Sequence, residues 1–110
     1  MKIKRKKNYI ILEDQKDDVV EFSAFLYKNQ SKFKKDNVVI NILKYGNLSL
    51  EELLNFLELS NLQRNRKKSF VIVNDTINID NVPEELMVVP TLQEAEDIVN
   101  MEELERELGF

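Results

Sequence analysis

The sequence predicts an α/β fold, in which about four helices pack on a mixed, mostly parallel sheet of four to five strands. Two segments carry this prediction. Residues 38–43 and residues 70–73 contain almost only aliphatic or aromatic side chains, as strands that are covered on both faces require. Between them, residues 50–64 place leucines at helical spacing. A strand, a helix and a second strand form a crossover connection, which makes the two strands parallel.

The first part of the chain predicts a hairpin followed by a helix. Residues 2–6 and residues 9–12 form two short strands that are joined by a turn. The basic first strand suits the edge of the sheet, because lysines there discourage pairing with another chain. Two aspartates precede Val19 and favour a helix N-terminus at that point. We expect this helix to run for roughly 15 residues at the spacing of its apolar side chains.

Two capping boxes predict the starts of two further helices. The Ser49 hydroxyl can accept from the amide of Glu52 while the carboxylate of Glu52 reaches back. Thr91 and Glu94 repeat this arrangement before the final helix. Asn100 is a candidate break in that helix, because asparagine is a weak helix former.

Polar side chains follow the apolar strand at residues 70–73. Asn74 and Asp75 come directly after it, where open α/β sheets place their ligands, and Asp80 is nearby. A turn-capping role is the favoured interpretation, because this segment does not supply the six oxygen ligands of a hard cation. A third, shorter strand is expected at residues 87–89, where Pro90 ends it. The sequence therefore predicts no metal site and no enzyme built on these two aspartates.

Composition predicts one domain over residues 1–110, without catalytic chemistry or a cofactor. The chain has 110 residues, of which 43% are hydrophobic, and this suffices for a single core. It contains no cysteine and no histidine, so the commonest transition-metal ligands and the usual general base near neutral pH are absent. No apolar stretch suits a signal peptide or a membrane span, and we expect a soluble, cytoplasmic protein.

Charge is unevenly distributed along the chain. Residues 1–35 carry ten Lys and Arg against five Asp and Glu, whereas residues 36–110 carry six against fifteen. The acidic excess makes phosphate-backbone binding a poor expectation for the main role, so nucleic acid is not the expected partner. The basic runs at residues 28–35 and 64–68 match predicted helix ends, where the helix dipole favours cations.

The final helix has an acidic surface. A solvated face is the favoured interpretation, and a docking face for a basic partner is the alternative. Its acidic residues are Glu94, Glu96, Asp97, Glu102, Glu103, Glu105 and Glu107.

The order of predicted elements resembles that of the STAS domain, the fold of bacterial anti-sigma-factor antagonists. The likeness is carried by the aliphatic strand at residues 38–42, the loop and capped helix at 44–59, the strand at 69–73 and the Val-Pro-Thr-Leu-Gln-Glu-Ala stretch at 89–95. This resemblance implies a STAS-like sandwich that acts as a regulatory protein-binding module.

The antagonists carry an Asp-Ser-Ser/Thr-Gly motif at the start of their second helix, whose first serine a partner kinase phosphorylates. Alignment on the strand places Ser49, Leu50, Glu51 and Glu52 on this motif. Leu50 stands at the phosphate-accepting position and has no hydroxyl, and Asn41 replaces the aspartate at the strand end. The resemblance therefore implies the fold without its phosphorylatable serine.

The C-terminal Glu-Arg-Glu-Leu-Gly-Phe at residues 105–110 is similar to the end of a group of short bacterial proteins encoded beside ribonuclease Z and often labelled with its name. That nuclease binds two zinc ions through a histidine-rich cluster, which this chain lacks. The resemblance implies a companion protein and not the enzyme.

Two functional hypotheses follow. The first is a non-enzymatic module that binds a protein through the loop and helix start at residues 44–55. The second is an RNA-associated accessory protein, acting with a tRNA-processing nuclease, that uses the basic residues 2–7 and 64–68. The residues expected to face the protein partner are Tyr45, Asn47, Ser49, Glu51, Glu52 and Asn55.

Overall fold

The computed structural model describes residues 1–109 and has a five-stranded sheet with helices on both faces. The predicted α/β class with a mixed, mostly parallel sheet is confirmed. Phe110, the last residue of the C-terminal pattern, lies outside the described residues.

The elements follow the predicted order. The strands in residues 1–109 are β1 (Lys2–Arg5), β2 (Ile10–Glu13), β3 (Val38–Asn41), β4 (Phe70–Val73) and β5 (Met87–Val89). The α-helices in the same part of the chain are α1 (Val19–Lys28), α2 (Leu50–Leu53), α3 (Leu57–Asn65) and α4 (Leu92–Glu107). Turns of 3-10 helix occupy Gln30–Phe33, Leu54–Phe56 and Ile79–Asn81.

The strands lie in the order β1-β2-β3-β4-β5. β1 is antiparallel to β2, and the other neighbouring pairs are parallel, with Val38 of β3 paired to Ile10 and Phe70 on its two sides. The predicted parallel pair of β3 and β4 is therefore confirmed. Because β2 to β5 run in one direction, the loops that leave them meet at one edge of the sheet and the loops that enter them meet at the other.

We name these two edges by the strand ends that form them. The carboxyl edge consists of residues 14–18, 42–49 and 74–78, which follow β2, β3 and β4. The amino edge consists of residues 5–9, 33–37 and 66–69, which precede the same strands, and it includes the β1-β2 turn.

Alternating side chains of the sheet enter two cores. On one face, α1 and the helical segment 50–65 pack on β2, β3 and β4, and the rings of Phe22 and Phe56 meet edge to face with centroids 6.4 Å apart. On the other face, α4 buries Ala95 and Val99 against the remaining side chains of the strands. The second core rests on one helix, so the sheet has a thicker and a thinner side.

Three details of the helices differ from the sequence predictions. α1 has ten residues and not about 15, because the chain turns at Asn29 and continues as a 3-10 turn that buries Phe33. The segment predicted as one helix from Leu50 contains a 3-10 turn. Asn100 does not break α4, and its side-chain oxygen instead accepts a hydrogen bond of 2.7 Å from Asn8.

Candidate functional site

The six residues predicted to face a partner lie together at the carboxyl edge and on the helix start that follows it. Asn47, Ser49, Glu51 and Asn55 are exposed, whereas Tyr45 and Glu52 are half-buried. All six belong to the loop after β3 or to the first turns of the helical segment 50–65.

The helix start has the capping box that the sequence predicts. The Ser49 hydroxyl accepts from the Glu52 amide at 3.1 Å and donates to the Glu52 carboxylate at 3.1 Å, and this carboxylate accepts from the Ser49 amide at 3.0 Å. Leu50 packs half-buried against the core. The Glu52 carboxylate thus lies at the positive end of the helix dipole, and the Ser49 hydroxyl is hydrogen-bonded to it.

Tyr45 and Lys44 bind the loop after β3 to the loop after β2. The Tyr45 hydroxyl donates a short hydrogen bond to the Asp14 carboxylate, and the Lys44 ammonium donates to the Asp14 carbonyl at 2.9 Å and lies 3.5 Å from the Asp17 carboxylate. Burial raises the pKa of Tyr45, and the hydrogen bond to Asp14 and the negative charge nearby raise it further. Partial burial opposes ionisation of Asp14, but the Tyr45 hydroxyl, backbone amides and Lys44 together hold its pKa below the ordinary value.

Asn74 has the turn-capping role that the sequence predicts, and it also holds the neighbouring loop. Its side chain is 1% exposed; the amide donates to the carbonyls of Ile42 at 3.1 Å and Tyr45 at 3.3 Å. Its oxygen accepts from the backbone amides of Thr76 at 2.9 Å and Ile77 at 3.1 Å. One side chain therefore fixes the backbone of two of the three loops at this edge.

Asp75 and Asp80 lie in the segment that follows β4. Both are exposed. In the part of the chain that the structure describes, no group of three or more acidic residues lies close enough to hold a metal ion.

Exposed apolar side chains of α1 and of the helical segment 50–65 lie beside the predicted site. Phe25 and Leu54 are 45% and 39% exposed, and Tyr27 is 45% exposed. The Tyr27 hydroxyl donates to the Glu58 carboxylate at 3.1 Å, which joins α1 to α3 at this surface. A shallow cavity of about 140 Å³ lies between Phe25 and Asp14, next to the Tyr45 contact. Leu54 and Tyr27 thus add an apolar contact area to the polar residues that the sequence predicted.

The amino edge has a second polar site, centred on Asn37, that sequence reasoning missed. Asn37 is 3% exposed; its amide donates to the Asn8 carbonyl at 3.0 Å and to the Glu103 carboxylate. Its oxygen accepts from the Ser69 amide at 2.8 Å and from the Arg106 guanidinium at 3.2 Å. The network joins the turns before β2, β3 and β4 to α4.

Basic side chains from three separate segments surround this network. A cleft of about 200 Å³ is lined by Lys6, Lys7, Lys35 and Lys68, with Glu103 on its wall. Lys67, next to the cleft in sequence, has a φ of 64°, a left-handed conformation that costs a residue with a side chain about 1 kcal/mol and that favours glycine.

The outward face of α4 carries four of the seven predicted acidic residues, Glu94, Asp97, Glu105 and Glu107. The other three, Glu96, Glu102 and Glu103, are half-buried and contact Tyr9, Arg64 and Asn37, because their positions on the helix face the sheet side. The outward face also exposes apolar residues. Met101, Leu104 and Leu108 are 49%, 55% and 62% exposed and recur at helical spacing. Within residues 1–109, no helix has both the length and the apolar character that crossing a membrane requires.

No protein-family model matches the chain, and no curated protein matches it.

Proposed function

We propose that this chain is a non-enzymatic, cytoplasmic protein-binding module of the STAS type, which docks a regulatory partner without a phosphorylation switch. The contact surface consists of Asn47, Glu51, Leu54 and Asn55, with Tyr27 at its border. The observation that carries the proposal is that this surface is exposed and at the same time held in one conformation by buried contacts beneath it.

The surface has the composition of a docking site. Glu51, Leu54, Asn55 and Glu58 recur at helical spacing on the solvent side of the helical segment 50–65, and all four are exposed. An apolar centre with carboxylates on its border suits a partner that offers an apolar side chain surrounded by lysines or arginines. The contact surface therefore combines carboxylates with an exposed leucine.

The loop before this helix is already ordered without a partner. Asn74 and Tyr45 fix its backbone from below, while Asn47 stays exposed above them. Binding to a preorganised loop does not spend free energy on ordering it, and this favours affinity.

The helix start supports binding in a single state. In the proposed family, phosphorylation of a serine switches binding. Leu50 stands at the position of that serine here, and leucine has no hydroxyl. The Ser49 hydroxyl is occupied by Glu52, so a phosphoryl group there would have to displace a carboxylate. We propose that the permanent carboxylate keeps the surface in one binding form.

Site-specific photocross-linking in cells tests this proposal. A photoreactive phenylalanine analogue replaces Asn47 or Asn55 in the full chain, and in a control it replaces Glu105 on the opposite face of the sheet. We expect the same protein adduct from both positions, its persistence after nuclease treatment, and its loss in Leu54→Asp.

Leu104→Asp is the matched control, because it also adds a charge at an exposed leucine and should leave the adduct unchanged. The absence of a protein adduct from both positions, or an equal adduct from position 105, would contradict the proposed surface.

A further inference from the structure

The amino edge concentrates the positive charge of an acidic protein. Residues 5–9, 33–37 and 66–69 contain eight of the sixteen Lys and Arg and one of the twenty Asp and Glu. These segments are distant in the chain, and the topology brings the turns before β2, β3 and β4 together at this edge. In sequence, a helix end or an edge strand is the favoured interpretation of each run, and residues 2–7 and 64–68 also carry the RNA hypothesis.

The lysines of the cleft are free to bind an anion. Within residues 1–109, Lys6, Lys7, Lys35 and Lys68 form no salt bridge, whereas Arg5 pairs with Asp36 at 3.3 Å. Two carboxylates line the cleft, and both have partners: Asp36 pairs with Arg5, and Glu103 accepts hydrogen bonds from the side-chain amides of Asn8 and Asn37.

Lys67 gives a second, independent observation. It occupies the left-handed position after α3, where the backbone favours glycine, and a lysine there carries a conformational cost. Backbone preference does not explain this lysine, and its charge extends the basic surface of the same turn.

We infer that the amino edge binds the phosphate backbone of single-stranded RNA. Four unpaired ammonium groups around a concave cleft suit a linear polyanion better than a flat layer of lipid headgroups. The aromatic residues of this edge, Tyr9 and Phe33, are buried, so the site supplies charge without base stacking. The binding is therefore insensitive to base sequence and sensitive to salt. This role is independent of the protein-docking surface at the other edge.

Fluorescence anisotropy with a labelled single-stranded oligouridine tests the inference on the full chain. With about 0.7 counterions released per phosphate and four contacts, we expect affinity to fall about 50-fold between about 50 and 200 mM salt. The double variant Lys35→Gln/Lys68→Gln removes two contacts and should bind roughly tenfold more weakly. An oligocytidine of equal length should bind as tightly as the oligouridine.

The double variant Lys2→Gln/Lys16→Gln is the matched control. It removes the same charge from two exposed lysines away from the cleft, and we expect it to bind like the unmodified chain. Lys67→Gly should weaken binding while raising the thermal midpoint, because glycine relieves the left-handed backbone.

Four results would overturn the inference. These are no binding at about 50 mM salt, where such contacts are strongest; equal weakening in the control variant; unchanged binding in the cleft variant; and polyglutamate of matched length binding as tightly as RNA. The last result would assign the edge to an acidic protein. Circular dichroism of each variant shows that a loss of binding is not a loss of fold.

Discussion

The two edges of the sheet are each organised by one buried asparagine, but the two side chains have different partners. Asn74 at the carboxyl edge binds the backbone of Ile42, Tyr45, Thr76 and Ile77 and makes one side-chain contact, to the Thr76 hydroxyl. Asn37 at the amino edge binds backbone groups of Asn8 and Ser69 and also the charged side chains of Glu103 and Arg106 in α4.

This difference separates two kinds of surface. At the carboxyl edge, the neutral backbone contacts of Asn74 fix the loops after β3 and β4, while Tyr45 and Lys44 join the loop after β3 to Asp14 and Asp17. The exposed side chains above these contacts can vary with the partner. At the amino edge, charged groups of α4 take part in the structure itself, so its stability and its charge are linked. Neutral hydrogen bonds respond little to salt, whereas the contacts that the charged groups of Glu103 and Arg106 make are weakened by it.

The largest expected effect comes from Asn74→Ala. The change leaves two carbonyls and two amides of the carboxyl edge without their partner in a site that is 1% exposed. We expect the free energy of unfolding to fall by about 3 kcal/mol, measured by urea denaturation.

Asn78→Ala is the control for this prediction. Asn78 is exposed and caps only the short turn that contains Asp80, with a contact of 3.0 Å. Its loss should cost less than about 1 kcal/mol. Equal effects of the two substitutions would show that Asn74 does not hold the edge together.

The sequence predicted the carboxyl edge well because its signals are local. Ser49 and Glu52 are three positions apart, and the helix cap follows from that spacing alone. Asn74 follows an apolar strand and was assigned to turn capping for the same reason. Its contacts with the loop at residues 42–45 depend on the parallel pairing of β3 and β4, so only the structure reveals them.

The amino edge was not predicted, because its residues are distant in sequence. Asn37 precedes β3 and has no helix or turn signal of its own, yet it contacts residues from Asn8 to Arg106. Helical periodicity predicts the helices that contain Phe25 and Leu54, but it does not reveal that both side chains are partly exposed. Periodicity identifies one apolar face, but a leucine beside that face reaches solvent when the neighbouring helix does not cover it.

The second effect in size is expected from Asn37→Ala. The change removes the partner of the buried Ser69 amide and the Asn8 carbonyl, whereas Glu103 and Arg106 are half-buried and can bind water. We expect a loss of about 2 kcal/mol in urea denaturation. Only the smaller part of this loss, which comes from the contacts of Asn37 with the charged groups of Glu103 and Arg106, should shrink as salt is added, whereas the loss in Asn74→Ala should not change.

Asn8→Ala, which removes only side-chain contacts to Asn100 and Glu103, should cost about 1 kcal/mol or less. If Asn37→Ala proved more destabilising than Asn74→Ala, or equally independent of salt, the contrast between the edges would be wrong.

The smallest effect is expected from Tyr45→Phe, and its pH dependence is the sharpest test of the carboxyl edge. The Tyr45 hydroxyl donates to Asp14, and its removal should cost about 1 kcal/mol at neutral pH. Asp14 has a lowered pKa in the folded protein, so its contribution exists above about pH 4 and is lost as the pH falls through the folded value. Tyr45 has a raised pKa, so its contribution exists below about pH 10 and is lost as the pH rises. The stability difference between the unmodified chain and Tyr45→Phe should therefore be greatest between about pH 4 and about pH 10 and should shrink outside this range.

Urea denaturation at a series of pH values measures this difference. Tyr27→Phe is the control, because loss of its exposed hydroxyl should matter little. A difference that stayed constant with pH would mean that the ring of Tyr45, and not its bond to Asp14, supports the loop.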